Sequence, residues 1–163
     1  MRVSPVGFLA DSEAQVIEWA DFVTGVTHDH PEAITSARAV ALAIFWAKNK
    51  VPTEKIGLWI GTQFCYDLSV PIDIIRTNYV RTERAKDSVP QAINCALQSS
   101  CFEDAIRSAV SIGGDSDTIA AIAGGIAEAI YGVPRAIAEQ GWAFLPKDMR
   151  DIVSEYYATV SKG

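Results

Sequence analysis

Residues 113–134 read GGDSDTIAAIAGGIAEAIYGVP, and this stretch decides the fold. From Asp117 onward, Ile119, Ile122, Ile126 and Ile130 recur at the spacing that lines one face of an α-helix. Ala120, Gly124 and Ala127 add a ridge of small residues, where a second helix backbone can come close. Gly132 suits a helix stop, and Pro134 prevents continuation. At the entrance, Gly113 and Gly114 permit backbone angles closed to other residues and let the chain pass near a ligand. Asp115 and Asp117 would point apart inside a regular helix, but at a turn only becoming helical they can converge. With the Thr118 hydroxyl they bring hard oxygen ligands of the kind that suits Mg²⁺, Mn²⁺ or Ca²⁺ rather than zinc. The same residue types also serve as ordinary helix caps, where their oxygens take free N–H groups and the helix dipole favours negative charge. Spacing alone leaves both readings open.

Working outward, most of the chain shows the same helical period and no strand alternation, so the fold class is all-α. Ser12 and Gln15 have capping-box spacing before Val16, Trp19, Val23 and Val26. Pro31 suits the first turn of a helix whose inner face is Ile34, Ala37, Ala41, Ile44 and Phe45, and which ends near residues 48–50, ahead of Pro52. Thr53 is placed to cap a short helix through Ile56 and Ile60. Residues 62–87 read as mainly loop with short helical turns. Ser88 with Gln91, and Ser100 with Glu103, repeat the capping-box spacing, the former with Pro90 in its first turn. A last helix is expected from Asp148 to Val160, with Ile152, Tyr156 and Val160 facing inward. No linker or repeat interrupts the sequence, and residues 1–163 are read as a single helical domain.

The formal net charge of -6 and the pI near 4.8 disfavour nucleic acid as a partner, because an acidic surface repels phosphate backbones. No stretch approaches the apolar length of a membrane span. Cys65, Cys95 and Cys101 form no metal spacing and leave an odd count, the pattern of reduced thiols in a cytoplasmic protein. Cys95 lies among apolar residues and is expected to pack as a small hydrophobe. Hydrophobic residues make up 49% and the mean hydropathy is +0.14, a surplus that must be buried somewhere. Among other polar residues, His28 and His30 flank Asp29 and could be read as a metal pair, but helix-end capping accounts for them better. Glu32 reads as a favourable charge at a helix start. Glu83, Arg84 and Lys86 read as solvated surface, Asp67 and Asp73 as candidates for a cleft wall, and Trp19, Trp46, Trp59 and Trp142 as core or interface.

The stretch 113–134 resembles the C-terminal signature of the ADP-ribosylglycohydrolase family, which includes ADP-ribosylarginine and ADP-ribosylserine hydrolases and the dinitrogenase reductase-activating glycohydrolase. MRVSPVG at residues 1–7, THDHPEAITSARAVALAI at 27–44, SVPQAINCAL at 88–97 and SSCFEDAIRSAV at 99–110 are similar to further family segments, so the likeness covers the whole chain. It implies an orthogonal bundle of helices with the N-terminal half absent. It implies that Asp115, Asp117 and Thr118 are ligands to a pair of Mg²⁺ or Mn²⁺ ions. It also implies that His28 borders the ADP-ribose cleft, with Ser4 and Gly114 as further substrate contacts.

The implied activity is metal-dependent hydrolysis of the bond between ADP-ribose and a modified side chain. The family's Thr-Asp-Asp element and its catalytic acid have no counterpart here, and no adjacent Asp-Asp pair occurs. The expectation is therefore that no catalytic acid or base lies in this chain and that the isolated chain is inactive. The expected partners are ADP-ribose or an ADP-ribosylated protein, and either a second copy of the chain or a partner chain supplying the missing half. The alternative is a non-catalytic ADP-ribose-binding protein or a structural protein of the crystallin kind.

Overall fold

The computed structural model describes residues 1–82 and 84–160. Among them the chain folds into helices alone: α1 (Ser4–Leu9), α2 (Glu13–Gly25), α3 (Pro31–Lys48), α4 (Thr53–Phe64), α5 (Ile72–Asn78), α6 (Ala85–Gln98), α7 (Phe102–Ile112), α8 (Ser116–Tyr131), α9 (Arg135–Phe144) and α10 (Lys147–Val160). The all-α expectation therefore holds. The solvated-surface reading of Glu83 lies outside the described residues.

The centre of the bundle is α3. Its residues Ala39, Val40, Ala41, Leu42, Ala43 and Ile44 are all buried, so it is covered on every side rather than along one stripe. It packs against α1, α2, α4, α6 and α8, which is why the single inner face expected from sequence understates its burial. The second spine is α8, with Ile119, Ile122, Ile126 and Ala127 buried against α3, α6 and α7.

Small residues set how closely these helices approach. A Cβ on Gly7 of α1 would lie 2.6 Å from the Ala41 carbonyl oxygen and 2.6 Å from Ile44 Cβ, both on α3. A Cβ on Gly125 of α8 would lie 2.6 Å from Ser4 Oγ, and one on Gly124 would lie 3.0 Å from Ile106 Cδ1 of α7. Gly124 of the small ridge thus faces α7, and Gly125 beside it faces α1.

Several helix ends follow the sequence reading. Ser12 accepts from the Gln15 amide, and the Gln15 side chain accepts in turn from the Asp11 amide at 2.7 Å, one residue before the position a capping box uses. His30 Nδ1 accepts from the Glu32 amide at 3.2 Å, so His30 is the cap of α3 and not half of a metal pair. Other ends differ. Ser88 lies inside α6, its hydroxyl donating to the Arg84 carbonyl, and Pro90 is an interior residue tolerated beyond the first turn. Cys101, not Ser100, caps α7, while Ser100 binds the Asp104 carboxylate.

At residues 135–144 the structure has a helix, α9, where no helix was expected. Ile152 of α10 is 67% exposed, correcting its inward assignment. Tyr156 does turn inward, meeting the Phe8 ring edge-on at 6.3 Å, and Tyr157 donates to Glu128. Of the tryptophans only Trp46 is core; it donates to Glu13 and stacks edge-on with half-exposed Trp59 at 5.1 Å.

Two predictions follow from this packing. Gly7→Ala should lower the free energy of unfolding in urea by about 1–3 kcal/mol, because backbone lies in the way of the added methyl. Gly25→Ala, at an open helical position, should be neutral or slightly stabilising. Burial pushes the Cys95 thiol up to about 12, whereas Cys65 and Cys101 are exposed. Iodoacetamide should therefore modify Cys65 and Cys101 in the native protein and reach Cys95 only in denaturant, as read by intact-mass spectrometry.

Candidate functional site

The turn between α7 and α8 is built by two glycines in left-handed backbone conformation, Gly113 at φ 80° and Gly114 at φ 68°. Gly114 is doubly constrained, since a Cβ there would lie 2.7 Å from Cε1 of Tyr79. The turn delivers Asp115 to the N-cap position of α8, and its side chain makes no capping hydrogen bond. The capping alternative therefore fails for Asp115.

Asp117, in the first turn of α8, is the one engaged with local backbone. Hydrogen bonding to the Asp115 side chain holds its carboxyl below the usual carboxylate range, helped by the amides of Thr118 and Asp117 itself and by the charge of Arg81. The two acidic side chains thus converge, as a turn that is only becoming helical allows. A hydrogen bond between two carboxyl groups needs a proton on one of them; with both ionised they repel, and a divalent cation in place of that proton relieves the repulsion.

Asp115 and Thr118 face a cavity of about 540 Å³. Its other walls come from Met1 to Val3, from His28 in the α2–α3 loop, and from the N-terminal turns of α3 and α6. Ser36 and Ser88 are buried and line it, Ser36 Oγ lying 3.2 Å from the Tyr66 hydroxyl. The starts of α3 and α6 are tied together by Glu32, which lies 3.1 Å from Arg84 and 3.4 Å from Lys86. Arg84 and Lys86 are exposed, as read from sequence, and with Glu32 in the first turn of α3 they form one surface ion-pair cluster.

Of the residues singled out in the sequence, His28, Asp115 and Thr118 share this cavity, and Asp117 adjoins Asp115. Gly114 shapes the turn and packs on Tyr79 and Arg81 without lining the cavity. Ser4 does not line the cavity; it is the first residue of α1, where Pro5 loses no hydrogen bond, and it packs into the notch at Gly125. Asp67 closes a turn through Ser69, and Asp73 pairs with Arg76, both away from this cavity.

Sequence reasoning passed over Tyr79. Its hydroxyl is buried without a hydrogen-bond partner among the described residues, and burial together with the charges of Asp87 and Asp115 raises its pKa. It lies in the irregular stretch before α6, where no periodic signal marks it.

The donor set fits a hard divalent cation in kind, with two converging carboxylates and a hydroxyl. Among the described residues no cluster of three or more His, Cys, Asp and Glu side chains gathers. The remaining positions around such an ion would fall to water or to groups from elsewhere. Among the described residues, too, no helix is long and apolar enough to cross a membrane.

The sequence model of the ADP-ribosylglycohydrolase family matches residues 1–160. An uncharacterised protein of Archaeoglobus fulgidus is 30% identical over 143 residues, covering 77% of this chain and 46% of that protein. The chain thus spans about half the length of the curated relative it matches. With a family match that reaches from the first residue to the end of α10, the chain belongs to the ADP-ribosylglycohydrolase family.

Proposed function

We propose that this chain carries one metal-holding wall and part of the ligand cleft of an enzyme that hydrolyses ADP-ribose linkages on modified side chains. The observation that carries the reading is the placement of the Asp115 side chain: it stands at a helix cap without capping, converges on Asp117 and faces the cavity. Asp115, Asp117 and Thr118 would hold Mg²⁺ or Mn²⁺, which when bound orients ribose hydroxyls and polarises water. Proton transfer is assigned to a carboxylate outside this chain, so the chain alone binds without turning over. The hydroxyls of Ser36, Ser88 and Thr118 give the cavity wall the polar character a sugar requires.

A second copy of the chain is the proposed partner. Trp142, Phe144, Met149 and Ile152 on α9 and α10 are exposed, and these two helices bury none of their residues fully. Large apolar side chains left exposed on two helices in this way are the ground for proposing an interaction face there.

Each reading has its expected outcome. ADP-ribose with Mg²⁺, at ten times its dissociation constant, should raise the melting temperature by about 3–6 °C, and Asp117→Asn should remove that shift. No shift with the unaltered chain would leave the structural, non-catalytic alternative standing. Measurable release of ADP-ribose from modified protein by the chain alone would refute the assignment of proton transfer to another chain. In sedimentation velocity the chain should run as a dimer, and the double change Phe144→Ser and Ile152→Ser should return it to monomer.

A further inference from the structure

Among the described residues, the Tyr79 hydroxyl is the only buried side-chain polar atom without a hydrogen-bond partner. The ring shows where that hydroxyl sits. A Cβ on Gly114 would lie 2.7 Å from Cε1 of this ring and 3.3 Å from Cδ1. Cε1 adjoins the ring carbon that bears the oxygen, so Tyr79 turns its hydroxyl end to the glycine turn. The charges of Asp87 and Asp115 both act on the hydroxyl, and with burial they keep its proton in place at neutral pH. A buried donor without an acceptor is destabilising, and each one in a folded protein calls for a reason.

The reason lies in its neighbours, because both carboxylates whose charges reach Tyr79 are engaged elsewhere. Asp87 accepts from the Thr82 hydroxyl at 3.3 Å and stands 3.9 Å from an Arg84 guanidinium nitrogen. Asp115 is hydrogen-bonded to the Asp117 side chain, and that bond takes a proton between the two carboxyl groups. The two engagements differ in kind. Thr82 and Arg84 stay beside Asp87 whatever fills the site. The bond between Asp115 and Asp117 lasts only while the proton does, and a divalent cation at the pair sends that proton to solvent.

We infer that Tyr79 is a positioning residue for Asp115: when a divalent cation has displaced the proton between Asp115 and Asp117, the Tyr79 hydroxyl donates to an Asp115 carboxylate oxygen and holds that side chain in place. The inference rests on the reading of Asp115 and Asp117 as cation ligands. It adds that the free chain keeps a donor in reserve beside them. A phenol donating to a carboxylate makes a charge-assisted bond. Because this bond is absent before the cation binds and present afterwards, it adds to cation affinity, as hydrogen bonds that orient a metal ligand do.

The test uses the full chain with Mg²⁺ alone. The chain has five tyrosines, and ¹³C placed at their Cζ positions reports the hydrogen bonding of each phenol. The resonance missing from Tyr79→Phe identifies Tyr79. On addition of Mg²⁺ it should move, while that of Tyr66, whose hydroxyl already pairs with Ser36, should stay. Asp87→Asn should leave the movement intact, since the acceptor is Asp115. Tyr79→Phe keeps the ring that seats Gly114 and removes only the orphan hydroxyl. The melting temperature of the Mg²⁺-free variant should therefore be unchanged or higher. Its Mg²⁺ affinity, read by calorimetry, should fall roughly 3- to 10-fold, the worth of one hydrogen bond.

Three results would each overturn the inference: a Tyr79 resonance unmoved at Mg²⁺ saturation, a movement that Asp87→Asn abolishes, or a Tyr79→Phe chain that binds Mg²⁺ as tightly as the unaltered one. The reading beneath it fails differently. If calorimetry shows no Mg²⁺ binding by the unaltered chain, Asp115 and Asp117 hold no cation and both fall together.

Discussion

Everything at the site depends on one backbone constraint, the left-handed pair Gly113 and Gly114. A helix ending at Ile112 and another beginning at Ser116 leave three residues to reverse direction and present a side chain to the cavity. Residues with a Cβ pay about 1–2 kcal/mol in that region of backbone space, and at Gly114 the Tyr79 ring would also block one. Because the turn is this tight, Asp115 arrives with non-helical backbone at φ -85° and ψ 62°. Asp117, two residues on, is already helical. That offset brings together two carboxylates that a continuous helix would send to different faces.

The bundle holds this turn in place by burial on both sides. α7 and α8 form the most extensive helix pair, with Ala105, Ala109, Ile119 and Ile126 fully buried along them, and Gly124 brings Ile106 against the α8 backbone. α3, buried all round, presents Ser36 and Val40 to the same cavity that Asp115 faces. The cavity lining is consequently of mixed charge, with Asp115 and Thr118 on it and Arg2 and His28 as well.

Much of this was legible in the sequence, for reasons that differ from element to element. The isoleucine stripe of α8 is strongly periodic and survived unchanged, because its partners are apolar and the stripe faces them all. The caps at Ser12 and His30 were legible because capping is a local interaction of near neighbours. Ser88 misled because its spacing to Gln91 is that of a capping box, while the helix had already begun at Ala85; the hydroxyl bonds back to the Arg84 carbonyl instead. Tyr79 and Arg81 were illegible, since their role beside Gly114 and Asp117 arises from contacts across more than thirty residues of chain. The convergence of the two acidic side chains could be stated from sequence only as one of two options, and only the uncapped state of Asp115 separates them.

The misreading of the last two helices has a physical basis that bears on the rest. Periodicity locates an apolar face but does not say what the face meets. In α10 the apolar positions were assigned inward, yet only Tyr156 and Val160 reach the core cluster, and Ile152 stands in solvent. The same amphipathic pattern that signals burial in α7 therefore signals exposure in α10. Ala109 is fully buried where α7 packs on α8, whereas Ile152 is left mostly exposed. At roughly 25 cal/mol for each Å² of apolar surface left in water, an uncovered face of this kind is a driving force for association. Behind that face α10 touches α1, the short helix that seats Gly7 on α3, and Tyr157 of α10 donates to Glu128 of α8.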